Sequence, residues 1–461
     1  MTEISKWINY LTKNPVSIFP LIVFRISFGL ILFISTLRFI LKGWVTDLYI
    51  KPTYFFTYYG FDWINPVSNN FIYIAFFLLL VCSLMITFGL FYRYSSLLFF
   101  ILFTYIELID KTNYLNHYYF ISLISFLMIF LPANRFFSVD NIIGICNERT
   151  IVKAWQINII KLQVGIVYLF AGIAKLNYHW LIEAQPLTNW LKHQSDFPII
   201  GNLFLYDNTA YLFSWAGAIF DLVIFFVLAN KKYRIYGYVI VVVFHILTSI
   251  MFPIGVFPLV MIVATLIFFS DQFHQNVLSF LGKKNTSISI KNKEDNQENK
   301  VDKLIKAVLI SFFILQLLIP FRYLLYPGKL FWTEQGYRFS WRVMLIEKAG
   351  YAQFYIHEPK MKRKMLIETR NFLTPQQEKM MSTQPDMILQ FAHYISSEFK
   401  DSTILETNGE IIKLGNKPKI TAEVKVSLFN KGSKDFINQN TNLSIENRGF
   451  MNKEWILPYE D

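Results

Sequence analysis

Long apolar runs alternate with short polar breaks over the first two thirds of the chain. Runs of spanning or near-spanning length cover residues 17–41, 71–92, 94–110, 117–133, 157–176, 208–230, 235–253, 255–272 and 302–320. About twenty apolar residues are needed to cross a bilayer as a helix, so these are about nine candidate spans. The segments within 94–133 and 235–272 are short enough that some are re-entrant or interfacial rather than spanning.

The pattern changes twice near the end. KKNTSISIKNKEDNQENK, residues 283–300, is polar and free of aromatics, and predicts a flexible cytoplasmic linker before the last span. After Pro320, MLIETRNFLT and AEVKVSLFN read as strands, while TPQQEKMMSTQPDMILQFAHYISSEF reads as a helix with a threonine N-cap. The fold class expected is an α-helical polytopic membrane protein of about 8–9 spans followed by a smaller α+β, strand-rich extramembrane domain. The organisation expected is a transmembrane core over 1–282, the linker over 283–300, the last span over 301–320 and the extramembrane domain over 321–461.

Composition supports a lipid solvent: 54% of the 461 residues are hydrophobic and 16% charged, with a mean hydropathy of +0.36. A net charge of +12 does not point to nucleic acid here, because Lys and Arg in a membrane protein gather in cytoplasmic loops. The loops after even-numbered spans hold Arg93, then Arg135, Arg149 and Lys153, then Lys231, Lys232 and Arg234, then five lysines of the linker. Loops after odd spans are poorer, so the positive-inside rule places the N-terminus in the cytoplasm and the C-terminal domain outside it. The first long run is of spanning length without a small-residue cleavage site, and reads as a retained helix. Cys82 and Cys146 lie in or beside apolar runs and suggest neither a disulfide framework nor a thiolate metal site.

A few polar residues interrupt the apolar pattern in ways that carry chemistry. Lys175 closes the helix QVGIVYLFAGIAKLNYHWL where membrane meets water. It is either a lysine that snorkels to a headgroup or a desolvated amine able to act as a base. DKTNYLNHYY gathers Asp110, Lys111, Asn116 and His117 at one mouth of the membrane, on the side where the fifth span ends, so that His117 and Lys175 are able to converge. A hydrogen-bonded capping role is the other reading of His117. His245 lies in a membrane run followed by Pro253, Gly255 and Pro258, which suggests a broken helix lining a cavity or else a core histidine bonded to a neighbouring helix. The seven histidines form no HxxH or HxxxH pair, and GxSxG, P-loop and dinucleotide fingerprints are absent. Metalloprotease, desaturase, hydrolase and NTPase chemistry therefore lack support.

Taken together, DKTNYLNHYYF, IVYLFAGIAKLNYHWL and FHILTSIMFPIGVF resemble the vitamin K-dependent γ-carboxylase family. IPFRYLLYPGKLFWTEQGYRFSWRVMLIEK, Ile319 to Lys348, is similar to the bacterial branch of that family. The resemblance implies that a lysine in an AG-x-x-K-L motif, here Lys175, deprotonates vitamin K hydroquinone. The hydroquinone is then oxygenated by O2 to its epoxide, which drives carboxylation of protein glutamate by CO2 to γ-carboxyglutamate. It further implies that Asn116 and His117, matching an NH motif, serve the carboxylation half, and that His245 matches the histidine of an FH motif. Arg338 and Arg342, flanking FSW, are candidates to bind the substrate carboxylate, because guanidinium pairs with carboxylate through two hydrogen bonds; surface ion pairing is the alternative. Tyr168 and Trp341 join His245 as candidates to line the quinone or substrate site.

The expected partners are a glutamate-containing protein, a quinone and membrane lipid, with no nucleic acid and no metal. A chain rich in Lys, Ile, Asn and Phe suggests a low-GC genome, in which the native quinol is menaquinol rather than phylloquinone. The cysteines do not look placed for the disulfide of animal members and the C-terminal domain is shorter, so recognition of an animal-type propeptide is not expected. The alternative function is a quinone- or lipid-binding membrane protein on the same scaffold without carboxylation activity. The orientation is testable directly. An epitope fused after residue 461 is expected to label in intact cells, and labelling only after permeabilisation would contradict the charge-derived topology.

Overall fold

A computed structural model describes residues 10–282, 300–357, 364–405 and 411–460. The linker expected over 283–300 lies, apart from Lys300, outside the described residues. Helices form at each apolar run: α1 (Phe19–Leu41), α2 (Asn69–Phe88), α3 (Tyr92–Ile109), α4 (Asn116–Ile129), α5 (Ala154–Lys175), α6 (Asp207–Ala229), α7 (Arg234–Met251), α8 (Phe257–Ala264), α9 (Asp271–Phe280) and α10 (Lys300–Leu318). Seven are long and apolar enough to cross a membrane, and eight do if the bent pair formed by 257–268 and α9 counts as one span. That pair turns through 118°. Helix α4 has only 14 residues, so the run at 117–133 is shorter than a full span. The break expected after His245 is a turn between α7 and α8 rather than a kink within one helix.

Local chemistry fixes the helix ends. Ser68 caps α2 through the Phe71 N–H, and Gly89 ends it with φ +67°. A Cβ on Gly89 would stand 2.4 Å from the Arg25 guanidinium, so the left-handed turn and the close approach both require glycine. Arg25, buried in α1, donates to the carbonyls of Ala133 and Phe137 at 2.8 and 2.7 Å. This intramembrane charge therefore satisfies backbone beyond the end of α4, a structural task.

The extramembrane domain is built on a four-stranded antiparallel sheet of β1 (Lys348–His357), β2 (Lys364–Ile367), β3 (Lys419–Leu428) and β4 (Ser433–Asp435), in the order β2-β1-β3-β4. Strands β1 and β3 pair over their whole length, from Lys348↔Leu428 to His357↔Lys419. Phe354, Ile356, Val424 and Val426 point into a core covered by α12 (Pro385–Glu398), which follows α11 (Pro375–Met381). Two sequence expectations are corrected here. MLIETRNFLT is strand only to Ile367, and the helix expected from Thr374 breaks before Pro385 because proline cannot donate an amide within a continuing helix. The threonine cap is present: Thr374 accepts from the Gln377 N–H, and the Gln377 side chain accepts from the Thr374 N–H.

The domain is seated on one end of the helical bundle. Ala174 at the end of α5, Trp180 just beyond it and Ala210 near the start of α6 share one buried apolar cluster with Phe331, Trp332 and Phe354. The α5 end that carries Lys175 therefore lies beneath the domain.

Candidate functional site

Small residues bring α5 against α6. A Cβ on Gly165 would stand 2.6 Å from the Phe225 ring, and one on Gly172 would stand 2.8 Å from Leu222. Two glycines seven residues apart lie on one face of α5 and let the α6 backbone approach closely, as small residues do in membrane helix pairs. Lys175, one turn beyond Gly172, meets Asp221 of α6: Nζ donates to Oδ2 at 2.5 Å. The two side chains are only 7% and 8% exposed, so neither charge is neutralised by water. Lys175 also points its Nζ over the Trp180 ring at 5.3 Å. The indole is fixed in turn, donating from Nε1 to the Ser214 carbonyl at 2.8 Å while the Ser214 hydroxyl donates to the Trp180 carbonyl. Gly217 faces this corner: a Cβ there would make ordinary contacts, 3.7 Å from Trp180 and 4.0 Å from Lys175 Cε.

Deeper in the bundle, Tyr168 Oη and His245 Nε2 are 3.0 Å apart and buried. Tyr168 lies two turns, about 10 Å, from Lys175 along α5. Phe220 stacks on Phe244 at 4.0 Å and meets Tyr168 edge-on at 5.7 Å. Phe257 is 6.0 Å from the His245 ring and 6.0 Å from the His117 ring. His117 and Lys175 thus belong to one aromatic-lined region, joined through Phe257, His245 and Tyr168. Gly255, at φ +65°, turns the chain between α7 and α8 where a Cβ would lie 3.5 Å from the His117 ring. The His245 Nδ1 atom is buried without a partner among the described residues, which leaves one ring nitrogen for a ligand.

The FSW segment closes the mouth of the bundle. Phe339, Trp341 and Met344 all have positive φ, at 63°, 58° and 57°, a costly conformation for bulky residues that persists only where surrounding contacts hold it. Those contacts come from the DKTNYLNH segment. The Phe339 N–H donates to Tyr114 Oη at 2.8 Å, Tyr114 Oη donates to Asn116 Oδ1 at 3.1 Å, and Asn116 Nδ2 donates to the Arg342 carbonyl at 3.3 Å. Trp341 stacks on Tyr119 at 4.9 Å. The Trp341 indole N–H and the Arg342 Nε–H are both buried without a partner among the described residues.

Arg338 goes elsewhere. It pairs with Asp386 of α12 at 2.7 Å and with the Gln384 side chain, and Lys111 pairs with the same carboxylate at 2.9 Å. Arg338, Asp386 and Lys111 line a cavity of about 220 Å³ between bundle and domain, together with Arg322, Arg448, Lys453 and several aromatic rings. Burial alone would raise the Asp386 carboxyl, but Arg338 and Lys111 outweigh it and hold the group well below the usual carboxylate range. Burial, with the Arg338 charge nearby, lowers the Lys111 ammonium to about 8 despite Asp386. The opposite balance at the two partners follows from the count: two cations share one carboxylate.

The named candidates therefore fall into three places. Lys175 is with Asp221; Tyr168, His245 and His117 lie along the aromatic cluster; and Asn116, Trp341 and Arg342 form a rim at its His117 end, with Arg338 tied to Asp386 beyond it. Asp221 was not among the residues singled out from the sequence, although an acid inside the apolar run 208–230 was a readable signal.

Residues 13–273 match the HTTM domain, and residues 301–461 match the vitamin K-dependent gamma-carboxylase lumenal domain. A helical membrane core of this type joined to such a lumenal domain defines a class of multi-pass membrane protein. The chain belongs to the vitamin K-dependent γ-carboxylase family, as the four sequence segments implied. No solved structure matches it.

The Arg338–Asp386–Lys111 cluster carries a prediction. The Asp386 side chain keeps 38% of its surface open to the cavity, so solvent screening reduces the cost of losing it. Asp386→Asn is expected to destabilise the protein by about 1–3 kcal/mol at pH 7. Because the folded carboxyl titrates below its unfolded value of about 3.9, the stabilisation is complete above that value and is lost as pH falls through the folded one. Thermal unfolding in detergent should show the gap between parent and variant closing below about pH 4; a gap that persists there would contradict the ion-pair account.

Proposed function

We propose that this protein couples oxygenation of a naphthohydroquinone by O2 to carboxylation of protein glutamate by CO2. The observation that carries the proposal is Lys175, at the lysine position of the family's AG-x-x-K-L motif, buried near an aromatic cluster inside the helical bundle. Vitamin K hydroquinone, or menaquinol in a low-GC organism, is a flat apolar ring system with two polar oxygens. Tyr168, Phe220, Phe244 and Phe257 offer faces and edges for such rings, and His245 Nδ1 offers a hydrogen bond that no described residue takes up. When bound, the hydroquinone supplies the reducing power, and its oxygenation to the epoxide provides the base strength that removes a γ-proton from glutamate.

The roles proposed for the chain's own groups follow from their places. Lys175 receives the proton of the quinol hydroxyl at the domain-covered end of α5, where water is excluded. Tyr168 fixes the His245 ring through Nε2 and leaves Nδ1 to orient the quinol. Asn116, at the rim, and His117, at the end of the aromatic cluster beside it, sit where the glutamate side chain arrives from the domain side, and serve proton abstraction and carboxylation. Arg342 and Trp341, with their free Nε–H and Nε1–H donors, hold the substrate carboxylate. Arg338, already paired with Asp386, supports the rim rather than competing for the substrate. The extramembrane domain lies outside the cytoplasm and presents a glutamate-containing protein to the rim, while the N-terminus is cytoplasmic.

The test is to give the purified protein reduced vitamin K, O2, labelled bicarbonate and a glutamate peptide. The parent should form epoxide and fix label, and Lys175→Ala should lose both by at least about a hundredfold. His117→Ala should keep most epoxide formation and lose label. Epoxide without label in the parent would favour a quinol oxygenase on this scaffold, and neither product would refute the proposal.

A further inference from the structure

We propose that Asp221 is the terminal proton acceptor of a two-residue relay, in which Lys175 takes the quinol proton only by passing its own proton to Asp221. The inference rests on the reading of Lys175 as the proton-accepting group of the site, and it goes beyond that reading by naming what lets a lysine in an ion pair act as a base. Nζ donates to Asp221 Oδ2 at 2.5 Å and, among the described residues, otherwise only to the Ala171 carbonyl at 3.5 Å. A contact of that length between a buried amine and a buried carboxylate is a charge-assisted hydrogen bond, with one proton already held on Nζ. An ammonium has no lone pair to offer a hydroxyl.

The balance closes within the pair. The quinol O–H bond breaks and an N–H bond forms at Nζ, while a different N–H bond of Nζ breaks and an O–H bond forms at Oδ2. No electrons change hands. The pair goes from zero net charge to +1, as the quinol oxygen goes from neutral to −1, so the ammonium that remains faces the new anion across a low-dielectric site. Asp221 touches the ammonium and not the reacting oxygen, and is therefore a positioning and proton-holding residue. The geometry that supports this is specific. Gly172 sets the α5–α6 spacing against Leu222, and the Trp180 ring, pinned to Ser214, holds Nζ at the carboxylate.

The experiment is an infrared difference spectrum of the purified protein before and after anaerobic addition of reduced vitamin K, with O2 turnover measured separately. The carbonyl band of a protonated carboxylic acid should appear in the parent, persist in shifted form in Asp221→Glu, and be missing in Asp221→Asn and in Lys175→Ala. Epoxide turnover in Asp221→Asn should fall at least about tenfold with the quinol KM within about threefold, and Asp221→Glu should recover part of it. The parent spectrum needs no variant, so a variant that fails to fold leaves the test intact. Epoxide formation with no acid band in the parent would overturn the relay and leave Lys175 acting alone. An acid band without epoxide would uphold the relay and count against the oxygenation reading.

Discussion

An ion pair buried inside a membrane protein constrains everything around it. Taking a lysine and an aspartate out of water costs several kcal/mol for each ion, and only close mutual contact recovers it. At 2.5 Å, Lys175 and Asp221 recover it only if α5 and α6 are held at a fixed distance and angle. The glycine face of α5, the Trp180–Ser214 clamp and the domain seated over the helix ends all serve that requirement. Loss of any of them lets in water or separates the charges, and in either case the proposed proton transfer through Lys175 loses its dry setting.

From this pair the structure extends in two directions. Inward, Tyr168, His245 and Phe257 carry an aromatic cluster to His117. Toward the domain, the strained FSW loop ties Asn116 to the Arg342 backbone, and Arg338 to Asp386 of α12. In the proposed reading, a site for an apolar ring system and a site for a charged side chain meet at one rim.

Much of this was legible in the sequence, because helix positions follow from apolar runs and the Thr374 cap from its side chain and the Gln377 that answers it. Lys175, His117 and His245 stood out as polar residues in apolar surroundings. Asp221 carried the same signal but no motif, and its partner is 46 residues away, a pairing that depends on which helices pack together. Strand β1 was missed because Ala352 gives its inward face little contrast, so that only Phe354 and Ile356 mark the alternation. The role of Arg338 was not readable either, since Asp386 is 48 residues away in a helix whose packing partner the sequence does not name.

The most direct test of where the reductant binds is photo-crosslinking with an azido naphthoquinone on the purified protein, with the labelled peptides mapped. Label is predicted on α5 between Tyr168 and Lys175 and on the segment from Phe244 to Phe257, and it should be displaced by reduced vitamin K. Label confined to the extramembrane domain, or to lipid-facing positions and indifferent to competitor, would contradict an intramembrane quinol site beside Lys175.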